Sequence, residues 1–419
     1  MSDPPVLSAR SSDVLPRREP RLVGVVLDGE EVVYDPSRRE AHLLNPTASL
    51  LLGRCDGQTT VADLIEELVE AYGADPAVVA ADLATALDDF ARRQLVGPEP
   101  SPADLPEVGR PMPELVARPD PVVSPDRWAV ESATLVALRS RLRVRSDEPV
   151  VGRYVDQVFA SLISSELVGE PAREPVGDPV HTYDIVTGGA GPIRLLLDGT
   201  EVGATNTLDG AMSYLQWSIN QLAIGEAGAM ALLHAAAVRV GDRVAMFPAE
   251  SNSGKSTLAA GMVRAGLGYV TDEAVAIDPA TGEVLAYPKP ISLDRGSWDL
   301  FRDAEPTIAD TDEPFFENEW HIDPRRLHPD ALDRDGADGR HHPRVVLVAF
   351  PSYVAGAATE LTPMGRAEGL LLLLQNSFDL SSHGPSGLAA LVQIAETAQL
   401  ARFTVGDLGE AVDLIRMAL

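Results

Sequence analysis

Cysteine is almost absent: a single residue, Cys55, stands in 419, which excludes an intrachain disulfide and a thiolate metal cluster. It follows Leu51, Leu52 and Gly53, the setting of a buried small hydrophobe rather than a nucleophile. Long apolar runs are missing too. The strongest, Leu370 to Leu374, is far too short to span a bilayer. The opening MSDPPVLSARSSDVL has neither a basic start nor an apolar stretch, so it does not read as a secretion signal, and the cytoplasm is the expected location. Basic residues are scarce: 34 Lys and Arg against 63 Asp and Glu give a formal charge of -29. Such a chain repels nucleic acid and anionic membranes on average, so neither is expected as a partner, whereas a basic peptide is attracted.

What is present is enough apolar material for real cores, 45% of the residues, in a length that suits two or three domains. Residues 1–20 read as a loose, proline-bearing lead-in. Residues 21–97 follow as a small β-plus-three-helix unit, winged-helix-like in outline. Leu22 to Leu27 and Glu31 to Tyr34 flank Asp28-Gly29, a hairpin turn signal. Asn45-Pro46, Thr60 with Asp63, and Asp75-Pro76 each mark a helix start. Leu64, Leu68 and Tyr72, then Val79, Leu83, Leu87 and Phe90, form apolar stripes at helical spacing. Residues 98–127 are dense in proline and predict a partly extended linker. Residues 128–227 predict an accessory or substrate-side α/β region, and 228–419 an α/β domain ending in helices. The stretch from Leu208 to Ala236 reads as mostly helical. The acid-rich stretch from Asp303 to Asp338 reads as a solvated or substrate-facing insertion.

The small unit leaves a sheet edge that must be covered or used. Its segment VYDPSRREAHLLNPTASLLLGRCDGQTTVADLIEELVEAYG, Val33 to Gly73, resembles the PqqD family. That resemblance implies a peptide-recognition domain that binds a precursor's leader segment by strand addition.

The sharpest motif lies further on. The apolar run Arg243 to Pro248 predicts a strand, followed by Ala249, Glu250, Ser251, Asn252, Ser253, Gly254, Lys255, Ser256 and Thr257, then a helical stretch. Strand, tight loop and helix is the context of a P-loop, whose backbone N–H groups cradle phosphate oxygens at a helix start. Lys255 then reaches the outer phosphates and Ser256 offers its hydroxyl to Mg²⁺. The motif's first glycine is Ala249 here, which narrows the backbone freedom at that point. Soon after comes Asp272-Glu273 at a strand end, placed to hold Mg²⁺ or to take a proton from an attacking hydroxyl. His234 sits upstream in an apolar run, and the turn at Gly241-Asp242 lets its strand pair with that of the P-loop. Lys289, between two prolines, reads either as a phosphate-side cation or as part of a rigid turn.

The combined pattern LLHAAAV…FPAESNSGKSTLAAGMVRAGLGYVTDEAVAID…YPKPISL resembles the HPr kinase/phosphorylase family, whose core is related to phosphoenolpyruvate carboxykinase. By that resemblance His234 is a phosphate-side histidine, Lys255 and Ser256 are the P-loop pair, and Asp272 is the catalytic acid/base. Glu273 stands where the family carries a second aspartate. The segment the family uses for HPr docking and phosphorolysis is not found, which argues against HPr as substrate. The expectation is an ATP- and Mg²⁺-dependent kinase acting on a serine or threonine hydroxyl of a leader-bearing peptide. Activation of another acceptor group, or a non-catalytic nucleotide-regulated carrier, stays open, as does a homo-oligomer.

Overall fold

The computed structural model describes residues 14–97, 128–163, 180–187, 191–250, 253–306, 319–332, 342–378, 380 and 384–419. The expected linker 98–127 and the loop residues Ser251 and Asn252 lie outside the described residues. The chain forms two compact units: one of residues up to Val108 joined by Gly365–Gln375, the other of Gly109–Met364 and Asn376–Leu419.

In the smaller unit, β1 (Val23–Leu27), β2 (Glu30–Asp35) and β3 (Glu40–Leu44) make an antiparallel sheet in that order. Asp28 and Gly29 both adopt positive φ, 52° and 88°, the tight turn whose twist matches a hairpin. Three helices follow: α1 (Pro46–Arg54), α2 (Val61–Tyr72) and α3 (Pro76–Arg92). Each starts on a side-chain cap: Asn45 accepts from Ala48 N–H, Thr60 from Asp63 N–H, and Asp75 from Ala77 N–H. Such caps contribute about 1 kcal/mol apiece. The apolar stripes meet Val33 and Leu44 of the sheet in one core with Leu52, Leu64, Leu83 and Phe90, except that Tyr72, at the end of α2, is 68% exposed. The expected loose lead-in needs correction from Val14 onward. Leu15 is 1% exposed, its N–H bonds to Thr59, and Glu19 is buried against Arg21.

The larger unit opens with β4 (Val130–Glu131), β5 (Leu135–Ala137), β6 (Ser140–Ser146), α4 (Pro149–Val158), β7 (His181–Val186), β8 (Ile193–Leu197) and β9 (Thr200–Thr205). These strands form a sheet of order β4-β6-β7-β8-β9, with β5 also on β6. Helix α5 (Leu208–Gly225) leads to β10 (Ala231–Val240) and β11 (Arg243–Pro248), which pair antiparallel. Residues 231–236 are therefore strand, not the helix expected. Their run is apolar on both sides because β10 is flanked by strands and covered on both faces, and a short apolar run alone does not separate strand from helix.

The chain continues through α6 (Lys255–Arg264), β12 (Gly268–Thr271), β13 (Ala274–Ile277), β14 (Val284–Leu285), β15 (Ile291–Asp294), β16 (Glu319–Ile322), β17 (Arg344–Tyr353) and β18 (Glu360–Pro363). Helix α7 (Arg366–Gln375) belongs to the smaller unit, and α8 (Gly384–Thr397), β19 (Gln399–Val405) and α9 (Leu408–Ala418) complete the larger. The main sheet runs β14-β13-β10-β11-β17-β19-β18, with β12 also on β10. Strand β11 is parallel to β17, so the loop after Pro248 opens at the carboxyl end of central strands, where α/β sheets bind ligands. One continuous core joins both sheets of this unit through α5. Part of the expected insertion is packed into it: Trp320 and His321 of β16 are buried.

Helix α7 explains a pattern in the smaller unit. Alternation along β2 puts Glu31 and Val33 on the α1 side, where Glu31 accepts from Ser49 of α1 at 2.6 Å. Val32 and Tyr34 then face the other way, yet they are only 1% and 5% exposed. Helix α7 packs against β1, β2 and β3, and Arg366 N–H bonds to the Asp28 carboxylate in the hairpin turn. The sheet is thus covered on both faces.

Candidate active site

Strand β11 delivers the chain to Ala249 and Glu250, and α6 begins at Lys255. Gly254, the residue before the helix, has φ +85° with open space where a side chain would stand. No side chain caps α6, so the first-turn N–H groups have no partner within the helix, the arrangement that receives an anion. The Ser253 hydroxyl is buried and has no hydrogen-bond partner among the described residues. Lys255 folds back over the loop and donates to Ala249 O at 2.7 Å and Glu250 O at 2.6 Å. It is 6% exposed, and burial pushes its ammonium down to about 8, against the pull of Glu273, Asp272 and Glu250. An uncapped helix start, a buried hydroxyl and a lysine folded onto carbonyls together suit a phosphate chain.

The acidic pair stands at a break between β12 and β13, both of which pair with the uninterrupted β10. The Thr271 hydroxyl accepts from the N–H groups of Glu273 and Ala274, which makes the local turn. Asp272 is driven inward and is 3% exposed. Its carboxylate accepts from the Tyr269 hydroxyl at 2.7 Å and Ser292 N–H at 3.2 Å and pairs with Lys289 at 2.7 Å, with the Ser256 hydroxyl close by. Burial alone raises an acid of this kind, but Lys289 and these donors outweigh it and hold Asp272 below its ordinary value. Glu273 keeps 33% of its side chain exposed, with Oε1 4.0 Å from His234 Nε2. His234 is placed by its N–H bond to Asn376 O at 2.7 Å and lies beside the Phe378 ring. Asn376 lay in a stretch that sequence reasoning left without a role.

Lys289 reads from the sequence as a phosphate-side cation or as part of a rigid turn, and neither reading names its partner. Its partner is Asp272, and the two side chains are each 1% exposed. Beneath them, Gln216 of α5 donates to the Ser292 hydroxyl at 2.6 Å, and Tyr287 donates to Asn220 at 2.6 Å. His321 is buried beside Ser292, and burial with the nearby Lys289 pushes it down to about 3, so it is neutral. Among the described residues, no three His, Cys, Asp or Glu side chains converge as a metal site. A Mg²⁺ carried by phosphates needs only one or two protein oxygens, and Ser256 with Asp272, and Glu273 beside them, fit that need. A separate cavity of ≈ 350 Å³, between the carboxyl end of α6 and α9, is lined by Arg264, Phe301 and Arg416 and lies away from this loop.

Residues 30–96 match the family model described as Coenzyme PQQ synthesis protein D (PqqD). The chain therefore carries an N-terminal PqqD-like domain, confined to the smaller unit. No curated protein matches the chain. Among the described residues, no helix is long and apolar enough to cross a membrane.

Proposed function

We propose that the protein is an ATP- and Mg²⁺-dependent kinase of HPr-kinase-like type, whose PqqD-like domain holds the leader of a precursor peptide. The observation that carries this reading is the Ser256 hydroxyl, in the first turn of α6, lying beside the Asp272 carboxylate. It joins the helix start of the P-loop to the acidic strand end, as a nucleotide-phosphate and metal site requires.

Each residue has a role that follows from its surroundings. The first-turn N–H groups of α6 and the Ser253 hydroxyl receive phosphate oxygens, and Lys255 exchanges two carbonyls for them. Bound Mg²⁺ supplies charge neutralisation between the outer phosphates. Asp272 was the expected proton acceptor, but its oxygens are taken by donors from three residues, Tyr269, Ser292 and Lys289, so it serves better as the fixed anion behind Ser256. Glu273, with His234 behind it, is the accessible carboxylate, and we assign it the proton of the attacking hydroxyl. That hydroxyl oxygen bonds to the γ-phosphorus, the bond from γ-phosphorus to the bridging oxygen breaks, and ADP leaves with the electron pair. The PqqD-like domain contributes tethering, which raises the local concentration of the acceptor.

The test is incubation with ATP, Mg²⁺ and synthetic peptides encoded beside the gene, read by mass spectrometry. Gain of one phosphoryl group supports the kinase. Water loss, ligation or nucleotide addition redirects it to activation of another group. Intact nucleotide binding with no product favours a nucleotide-regulated carrier.

A further inference from the structure

The larger unit buries the cation of Lys289, whose side chain is 1% exposed, against Asp272. Lys289 lies between Pro288 and Pro290, whose rings fix their own φ. Its N–H donates to Tyr287 O at 2.8 Å, and Tyr287 N–H to Val270 O at 3.0 Å, which ties the segment to the end of β12. The ammonium is spent inward, 2.7 Å from Asp272 Oδ1 and 3.0 Å from its acceptor Pro290 O. The other face of the carboxylate is set by Ser292 N–H, whose own side chain is held by Gln216.

A buried ion pair is a weak source of stability, since well-packed apolar residues of similar size often do as well. What the pair does supply is one orientation for the Asp272 carboxylate, beside the hydroxyl of Ser256. We propose that Lys289 is a positioning residue of the phosphate site, acting through Asp272 and touching neither nucleotide nor acceptor. This rests on the nucleotide reading of the Ser256–Asp272 contact.

The experiment is a titration of the full chain with a fluorescent, non-hydrolysable ATP analogue, in EDTA and in Mg²⁺, with tryptophan-detected melting as a check on folding. In the wild type, Mg²⁺ tightens binding. Lys289→Met is expected to lose that enhancement by about tenfold or more, as for residues that orient a metal ligand, with affinity in EDTA changed by less than about threefold. Lys289→Arg, which keeps the charge, restores most of it. In an Asp272→Asn background the further change Lys289→Met is silent, because the residue through which it acts is gone. This second comparison removes the pair together and stands even where Lys289→Met alone does not fold. A folded Lys289→Met variant with wild-type Mg²⁺ enhancement overturns the proposal. So does a further loss in the Asp272→Asn background. A wild type that binds no analogue under either condition instead overturns the nucleotide reading, and the inference falls with it.

Discussion

Lys255 is expected to weaken the fold that it equips for phosphate. The side chain is 6% exposed, and burial pushes its ammonium down to about 8 from the ordinary 10.5. Holding it charged at neutral pH therefore costs about 3 kcal/mol relative to the unfolded chain. The unfolded chain keeps that proton more tightly, so the penalty is full below 8 and is relieved as the pH rises from 8 towards 10.5. Replacing Lys255 by Met removes this titration and leaves every other group in place, so the difference between the two proteins isolates it. Between about pH 7 and about pH 9.5 the wild type should gain about 2 kcal/mol on Lys255→Met. Urea unfolding followed by tryptophan emission reads this directly, because Trp128, Trp217, Trp298 and Trp320 all lie in the larger unit. The two carbonyl bonds lost at Ala249 and Glu250 shift the variant's absolute stability but not this pH difference. Stability curves that stay parallel across that range refute a buried, charged Lys255.

Two further outcomes follow from other parts of the molecule. His181 bonds to Asp198 at 2.7 Å and to Glu226 at 2.8 Å; burial lowers it, but these partners outweigh burial and raise it above 6.5. Its contribution, roughly 1 kcal/mol for such part-exposed pairs, is complete below 6.5 and lost as the pH rises through the folded value, so the margin over His181→Gln shrinks towards alkaline pH in the same urea assay. A fragment ending at Gly97 lacks α7 and exposes Val32 and Tyr34, about 3 kcal/mol of lost burial. Cys55, buried with its thiol pushed up to about 11, reports this unit alone: labelling should be at least about 30-fold faster in the fragment than in the full chain, and equal rates contradict the cover by α7.

Local chemistry was readable wherever a residue's role depends on near neighbours. Asp28-Gly29, Asn45, Thr60 and Asp75 each declare a turn or a cap that the structure contains. Strand β11 and helix α6 are similar, because they follow one another closely in the chain. Roles set by distant chain were hidden. Lys289 meets Asp272 only because Tyr287 lies along Val270, and Val32 and Tyr34 are buried because α7 returns from far along the sequence. The β10 run misled for a related reason: a strand buried on both faces loses the alternation that marks a strand. Asp272 and Glu273 are neighbours in sequence, yet one is buried among donors and the other stays open beside His234. Only packing separates their roles.

The central claim is that the loop from Ala249 to Thr257 holds nucleotide phosphates, and calorimetric titration with ATP and Mg²⁺ tests it most directly. The account predicts one saturable site in the wild type, weakened by about 100-fold or more in Lys255→Met, whose fold is retained. Heat of binding that is absent in the wild type, or unchanged by Lys255→Met, contradicts it.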